Sequence, residues 1–189
     1  MSTSDTDASA AKAAARAEAR GRRRSADRPD PDLLADRAVE HLETLPGPRR
    51  VTCYASYGTE PDTSELRRRL AAAGYEVLLP RVDGEHLEWV VDGPETAVSA
   101  MGIAEPLGAA VDLMPLRAML IPALAVTAEG DRLGKGGGYY DRVLSTLRDV
   151  PIVAIVDDAD VVDRIPTQEH DMRVHAIVTP TRTMPCSAP

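Results

Sequence analysis

Three short apolar runs constrain the fold of this chain more than any other feature. AMLIP (118–122), PIVAIV (151–156) and HAIVTP (175–180) are nearly uninterrupted by polar residues. A strand with one face in water alternates polar and apolar side chains, whereas a strand covered on both faces has no need to. The runs therefore predict strands of a mainly parallel sheet lying between layers of helix. VTCYASY (51–57), YEVLLP (75–80) and LEWVV (87–91, after an Asp83-Gly84 turn) join them as strand candidates. Helical segments alternate with these runs. Asp30 is a natural N-cap with Pro31 at the first helical position, and Leu34, Ala38, Leu42 and Leu45 fall on one face before Pro46-Gly47-Pro48. TSELRRRLAAAG has Asp62 or Thr63 as cap, Leu66, Leu70 and Ala73 inward, and Gly74 at C′. The order of elements predicts an α/β fold, a three-layer sandwich. Residues 92–117 suggest no element.

At 189 residues one domain is expected, spanning 10–182, with a disordered start at 1–9 and a loose tail at 183–189. Hydrophobic residues at 43% and charged residues at 28% exclude disordered and fibrous classes. The longest charge-free stretch, Ala118 to Ala128, falls far short of the roughly 18–20 residues of a membrane span, and the N-terminal residues lack the apolar core of a signal peptide. A cytoplasmic monomer with no membrane partner is expected. Cys53 and Cys186 suggest neither a disulfide nor a metal site.

The net charge of −8 disfavours general nucleic-acid binding. One segment runs against this balance: residues 10–24 hold Lys12, Arg16, Arg20, Arg22, Arg23 and Arg24 against a single acid, Glu18. The Ala- and Arg-rich composition predicts a helix with nothing large and apolar to bury, hence a helix not docked on a core.

The chemistry concentrates in residues 122–147, PALAVTAEGDRLGKGGGYYDRVLSTL, which leave the AMLIP strand and enter a helix near Tyr139. Gly130, Gly134, Gly136, Gly137 and Gly138 allow backbone N–H groups to approach an anion closely, and a helix N-terminus adds partial positive charge. Arg132 and Lys135 add full charges. Two phosphate-loop patterns fail: Gly136 stands where a Walker A loop needs its hydroxyl residue, and the third glycine of a dinucleotide fingerprint is misplaced.

RLGKGGGYYDR (132–142) resembles the signature of the 5-formyltetrahydrofolate cyclo-ligase (methenyltetrahydrofolate synthetase) family. TEPDT (59–63), LPRV (79–82), EHDMRVHAIVTPTR (169–182) and the Lys12-x3-Arg16 spacing extend the resemblance over most of the chain. The resemblance implies a Rossmann-like three-layer fold with the ligand beyond the C-terminal strand ends. It implies ATP- and Mg²⁺-dependent cyclisation of 5-formyltetrahydrofolate to 5,10-methenyltetrahydrofolate, with release of ADP and phosphate.

By the same resemblance, Lys12, Arg16, Arg132, Leu133, Gly134, Lys135, Gly136, Gly137, Gly138, Tyr139 and Tyr140 are implied to bind ATP, with Lys135 and Arg132 catalytic. Ala55, Glu60 and Tyr139 are implied at the folate, and Asp141 and Asp171 at Mg²⁺. Asp141 would also serve as a first-turn acid of a helix, Asp171 as a loop acid, and Glu60 as a turn residue. His170 is not expected to act as a base, and Trp89 is expected in the core. A non-catalytic folate- or nucleotide-binding relative and another small ATP-dependent ligase with the same loop remain alternatives, as does nucleic-acid binding through residues 10–24.

Overall fold

A computed structural model describes residues 3–94, 96–98, 104–168 and 171–186. The elements are α1 (Thr3–Ser25), α2 (Pro31–Thr44), β1 (Arg50–Thr52), α3 (Ser64–Ala72), β2 (Glu76–Asp83), β3 (His86–Val91), β4 (Thr96–Val98), β5 (Ala104–Pro106), β6 (Ala110–Val111), β7 (Ala118–Pro122), β8 (Ala125–Val126), β9 (Arg132–Leu133), α4 (Tyr139–Leu144), β10 (Ile152–Ile155), β11 (Ala176–Val178) and β12 (Thr183–Pro185). Eight strands form one sheet in the order β12-β11-β10-β7-β1-β2-β3-β6. The five central strands, β11 to β2, run parallel, and β12, β3 and β6 are antiparallel additions at the edges.

The apolar runs are strands covered on both faces, and the period-two alternation divides them between two cores. Val77, Leu79, Leu120, Val153, Ile155 and Val178 pack with Leu34, Leu42, Leu66 and Leu70 of α2 and α3. The intervening Leu78, Met119, Ile121, Ile152, Ala154 and Ile177 pack on the opposite face with Trp89, Val126 and Leu144. That second face is covered by the short α4 and the β8–β9 hairpin, completing the three layers of an α/β sandwich. Trp89 is a core residue, as expected.

Helix starts follow the local chemistry read from the sequence. The Asp30 carboxylate accepts from Asp32 N–H at 2.9 Å with Pro31 opening α2. For α3, the Asp62 carboxylate accepts from Ser64 N–H at 2.9 Å although Thr63 occupies the cap position. Gly74 follows α3 in a left-handed conformation at φ 78°.

Four expectations are corrected. Residues 53–57 leave the sheet: only Arg50–Thr52 are strand, and after the Cys53 N–H bond to Leu78 O the chain turns so that Thr63 Oγ1 donates to Tyr54 O. Residues 92–117 contain β4, β5 and β6, short pairings that lack the apolar density of the central strands. The described part of residues 1–9 is helix rather than disordered chain, because α1 begins at Thr3 and the Ala-rich sequence carries helix in both directions. The tail is not loose over Thr183–Pro185, which pair with β11 through Ile177↔Met184; residues 187–189 and His170 lie outside the described residues.

The undocked N-terminal helix is also corrected. Lys12, Arg16, Ala19 and Arg23, spaced four, three and four apart, share one face of α1, and Lys12, Ala19 and Arg23 on it are buried. The docking face is polar. Lys12 Nζ meets the Asp171 carboxylate at 2.6 Å, Arg16 Nε donates to Gly134 O at 3.0 Å, and Arg23 Nη2 meets Asp160 Oδ2 at 2.7 Å.

Candidate active site

Parallel strands that end together leave a crevice at their C-terminal edge, and loops from neighbouring strands close its sides. Here a cavity of about 310 Å³ opens where β7 ends at Pro122 and where the chain leaves β1 at Tyr54. One wall is the segment from Arg132 to Asp141, carrying four glycines. The other is apolar, with Pro80 and Val82 of β2 and Leu87 of β3.

The glycine segment divides into two parts. Gly130 belongs to the turn of the β8–β9 hairpin, at φ 90°, where a Cβ would lie 2.4 Å from Val174 O. It does not line the cavity, so its role is the turn and not the cradle. Gly136 and Gly138, at φ 105° and 69°, adopt left-handed conformations that bend the loop around the cavity rim. Gly137 has no such φ; a Cβ there would meet the Tyr139 ring at 2.8 Å. Helix α4 is only six residues long, with Gly138 as its cap, so the expected helix-dipole contribution at Tyr139 is confined to less than two turns.

Each cation of the loop is held by a carboxylate. Arg132, its side chain only 3% exposed, donates from Nη2 to Asp141 Oδ1 at 2.5 Å, while its Nε is buried without an acceptor among the described residues. Lys135 Nζ meets Glu60 Oε1 at 2.8 Å and stands 5.2 Å from the Tyr57 ring centroid. The second Glu60 oxygen accepts from Tyr57 N–H at 2.8 Å, which fixes the carboxylate against the loop after β1. Arg142 covers the Tyr139 ring at 5.1 Å and donates to Gly137 O.

Two buried phenols form the floor. Tyr54 donates from its hydroxyl to Ile155 O at 3.3 Å, and the Tyr140 hydroxyl is buried with no partner among the described residues. Burial, reinforced by the nearby Glu60 carboxylate, pushes both phenols well above the usual tyrosine range, so both keep their protons.

The structure thus brings together Glu60, Arg132, Gly134, Lys135, Gly136, Gly137, Gly138, Tyr139, Tyr140 and Asp141 around one cavity. Five others stand apart from its walls. Leu133 is buried, with its carbonyl accepting from Leu124 N–H, and Ala55 packs on the α2–α3 core. Arg16 sits behind the glycine loop on α1, and Lys12, one turn earlier, meets Gln168 and Asp171 instead. Asp171 does not line the cavity either: it accepts from Lys12 and from Gln168 N–H. Among the described residues no group of three or more His, Cys, Asp or Glu side chains could hold a metal ion. With Asp141 and Asp171 each neutralised by its own cation, these residues do not fit a resident magnesium centre.

Tyr54, Tyr57, Pro80, Val82, Leu87, Glu105 and Ala123 also line the cavity and were not singled out from the sequence. The scarcity of aromatic residues was the available signal: five tyrosines and no phenylalanine, with two of the five, Tyr54 and Tyr57, within four positions.

The geometry has counterparts among known proteins. The sequence model of the 5-formyltetrahydrofolate cyclo-ligase family matches residues 8–180. A 5-formyltetrahydrofolate cyclo-ligase of Mycolicibacterium smegmatis is 34% identical over 145 residues, covering 71% of this chain and 75% of that protein. One from Escherichia coli K12 is 31% identical over 142 residues, covering 70% and 78%. The solution structure of Aquifex aeolicus 5,10-methenyltetrahydrofolate synthetase superposes with a TM-score of 0.75 at 25% identity over 94% of both chains. A match across nearly the whole chain, joined to relatives of this identity and coverage, leads to one assignment: the chain belongs to the 5-formyltetrahydrofolate cyclo-ligase family.

Proposed function

We propose that this chain converts 5-formyltetrahydrofolate and ATP into 5,10-methenyltetrahydrofolate, ADP and phosphate. A formamide carbon resists attack by a neighbouring arylamine because its oxygen is a poor leaving group. Transfer of the γ-phosphoryl group of ATP to the formyl oxygen releases ADP and turns that oxygen into a phosphate leaving group. The arylamine nitrogen then bonds to the formyl carbon, phosphate departs, the nitrogen loses its proton, and a five-membered ring closes. Proximity makes the closure effectively unimolecular.

Phosphoryl transfer asks the protein for positioning and for neutralisation of charge. Lys135 and Arg132 supply the charge, and the backbone of Gly134 to Gly138 supplies close approach. Arg16 adds a further cation behind the loop, and Lys12, paired with Asp171, holds the helix that carries it. Asp141 restrains Arg132 until the triphosphate competes for it. Glu60 and Tyr139 face the pterin, against the apolar wall of Pro80, Val82 and Leu87. Magnesium, on this reading, enters bound to the phosphates of ATP as part of that substrate.

The observation that carries the proposal is the cavity itself, in which a cationic glycine loop faces an apolar wall across a space large enough for reacting groups of two substrates to meet. The experiment is direct. The protein is mixed with Mg-ATP and 5-formyltetrahydrofolate, and the ultraviolet absorbance of the methenyl product is followed. Folded protein that produces no absorbance change would overturn the proposal.

A further inference from the structure

Helix α1 is bound to the rest of the molecule by charge, and its most deeply buried attachment lies outside the cavity. Arg23 donates from Nε and Nη2 to Asp160 Oδ2 at 2.9 and 2.7 Å, and Nη2 also donates to Ala123 O. The two side chains are only 4% and 1% exposed. Asp160 ends the 3-10 turn Asp158–Asp160 that follows β10, and Ala123 follows β7 in the wall of the cavity. One guanidinium therefore joins α1, the turn after β10 and the cavity wall.

Seven residues before Arg23 on the same helix face, Arg16 holds Gly134 O and lies against Gly136, whose Cβ would sit 3.3 Å from the Arg16 guanidinium carbon. A helix with an apolar stripe would hold its place by burial, but the buried apolar contribution of α1 among the described residues is Ala19. Its remaining hydrogen bonds to other elements, among those residues, are from Lys12 to Gln168 and Asp171. Lys12 and Arg23 lie eleven residues, about 16 Å, apart along the axis, with Arg16 between them. The place of Arg16 on the glycine loop is thus fixed from both sides, and Arg23 is the deeper anchor.

We propose that Arg23 is a positioning residue for the glycine loop, anchored on Asp160 and Ala123 O and holding α1 so that Arg16 braces Gly134 to Gly136. A buried ion pair is often no more stabilising than apolar residues of similar volume, whereas the Arg23 fork fixes the relative places of α1, Asp160 and Ala123. The role rests on the reading of the loop as the nucleotide site. Arg23→Lys keeps the charge beside Asp160 but gives up the planar fork that reaches Asp160 and Ala123 O together.

The test is a double-mutant cycle of Arg23→Lys with Arg16→Ala, reading ATP affinity by calorimetry, and amide hydrogen exchange at residues 134–136 without nucleotide. Arg23→Lys is expected to weaken ATP about tenfold, to quicken exchange in the loop, and to leave the affinity for 5-formyltetrahydrofolate nearly unchanged. In the Arg16→Ala background it is expected to cost no further ATP affinity. Losses that add independently would overturn the proposal. So would a lower Tm with unchanged ATP affinity and loop exchange, the pattern of a purely structural pair. If Arg23→Lys does not fold, Asp160→Asn, which leaves an amide oxygen for the guanidinium, carries the same readouts and the same decision. If the wild-type protein binds no ATP, the proposed function falls, and the exchange measurement still decides whether Arg23 holds the loop.

Discussion

Lys135 and Glu60 meet at 2.8 Å across the cavity, so the cation proposed to meet a phosphate is held by the acid proposed to meet the pterin. Each must release the other before either can serve a ligand. On the proposed reading, a triphosphate that draws Lys135 away leaves the Glu60 carboxyl oxygen free to accept from pterin N–H groups. Half of the pair is solvent-facing, since the Lys135 side chain is 46% exposed, and its strength is that of a screened ion pair, about 0.2–1 kcal/mol. Glu60→Gln should therefore tighten ATP by up to about fivefold in calorimetry while turnover of formyl-folate falls. Weaker ATP binding would show that Glu60 orients Lys135 and does not compete for it.

Lys135→Ala should lower turnover by roughly 10²–10³-fold, the effect of removing a preorganised charge from a reacting centre. The side chain is half-exposed in a loop, so Tm should stay close to wild type. A near-wild-type rate would remove Lys135 from the transferring phosphoryl group.

Gly136→Ala places a Cβ at φ 105° and 3.3 Å from the Arg16 guanidinium. The conformational penalty alone is about 1–2 kcal/mol. ATP affinity should fall by about tenfold or more, because 1.4 kcal/mol corresponds to one decade. Formyl-folate affinity, measured alone, should move less. Equal losses for both ligands would place the loop outside the phosphate site.

The two acids implied at magnesium should behave differently. Asp141→Asn frees Arg132 in the cavity wall and should tighten ATP binding, with the Mg²⁺ concentration needed for half-maximal rate unchanged. Asp171→Asn breaks the contact with Lys12 on α1 and should leave that Mg²⁺ dependence unchanged, while ATP binding weakens. A common shift in Mg²⁺ dependence would place both acids at the metal.

Asp157 supplies a pH prediction. Burial, followed by the neighbouring Asp160 carboxylate, raises its pKa to about 6; Asp158 adds to the rise and Arg23 and Arg28 oppose it. Between the unfolded value of 3.8 and about 6 the native protein keeps a proton that the unfolded chain has released. Its contribution to stability is therefore lost as pH rises through that window and stays lost above it. Asp157→Asn should remove this slope and raise the urea midpoint at neutral pH. An unchanged profile in urea titrations from pH 4 to 7 would refute the assignment.

The parts of the site legible in the sequence are those that one short stretch contains. Arg132 to Asp141 carry their glycines and charges within ten positions, so their convergence needs no tertiary information. The opposite wall was hidden because Pro80, Val82 and Leu87 are ordinary strand residues until β2 and β3 bring them to the cavity. Helix α1 was misread for a different reason. Amphipathic periodicity is sought in apolar residues, and the buried stripe of α1 is Lys12, Arg16, Ala19 and Arg23. The partner of Lys12 is 159 residues away, beyond any local pattern. The central strands were clear because burial on both faces leaves an unbroken apolar run.

That double burial also shapes how the chain can change. Leu120 and Ile121 are adjacent in sequence, yet one packs with α2 and α3 and the other with Trp89 and Leu144. Neighbours along β7 are therefore energetic strangers, while Leu120 and Leu70, fifty positions apart, belong to the same cluster. Compensating substitutions should arise between residues of like parity across strands and not between consecutive ones. Each layer meets the cavity floor through its own tyrosine, Tyr54 beneath α2 and α3 and Tyr140 on the opposite side, so the two layers stand under separate constraints.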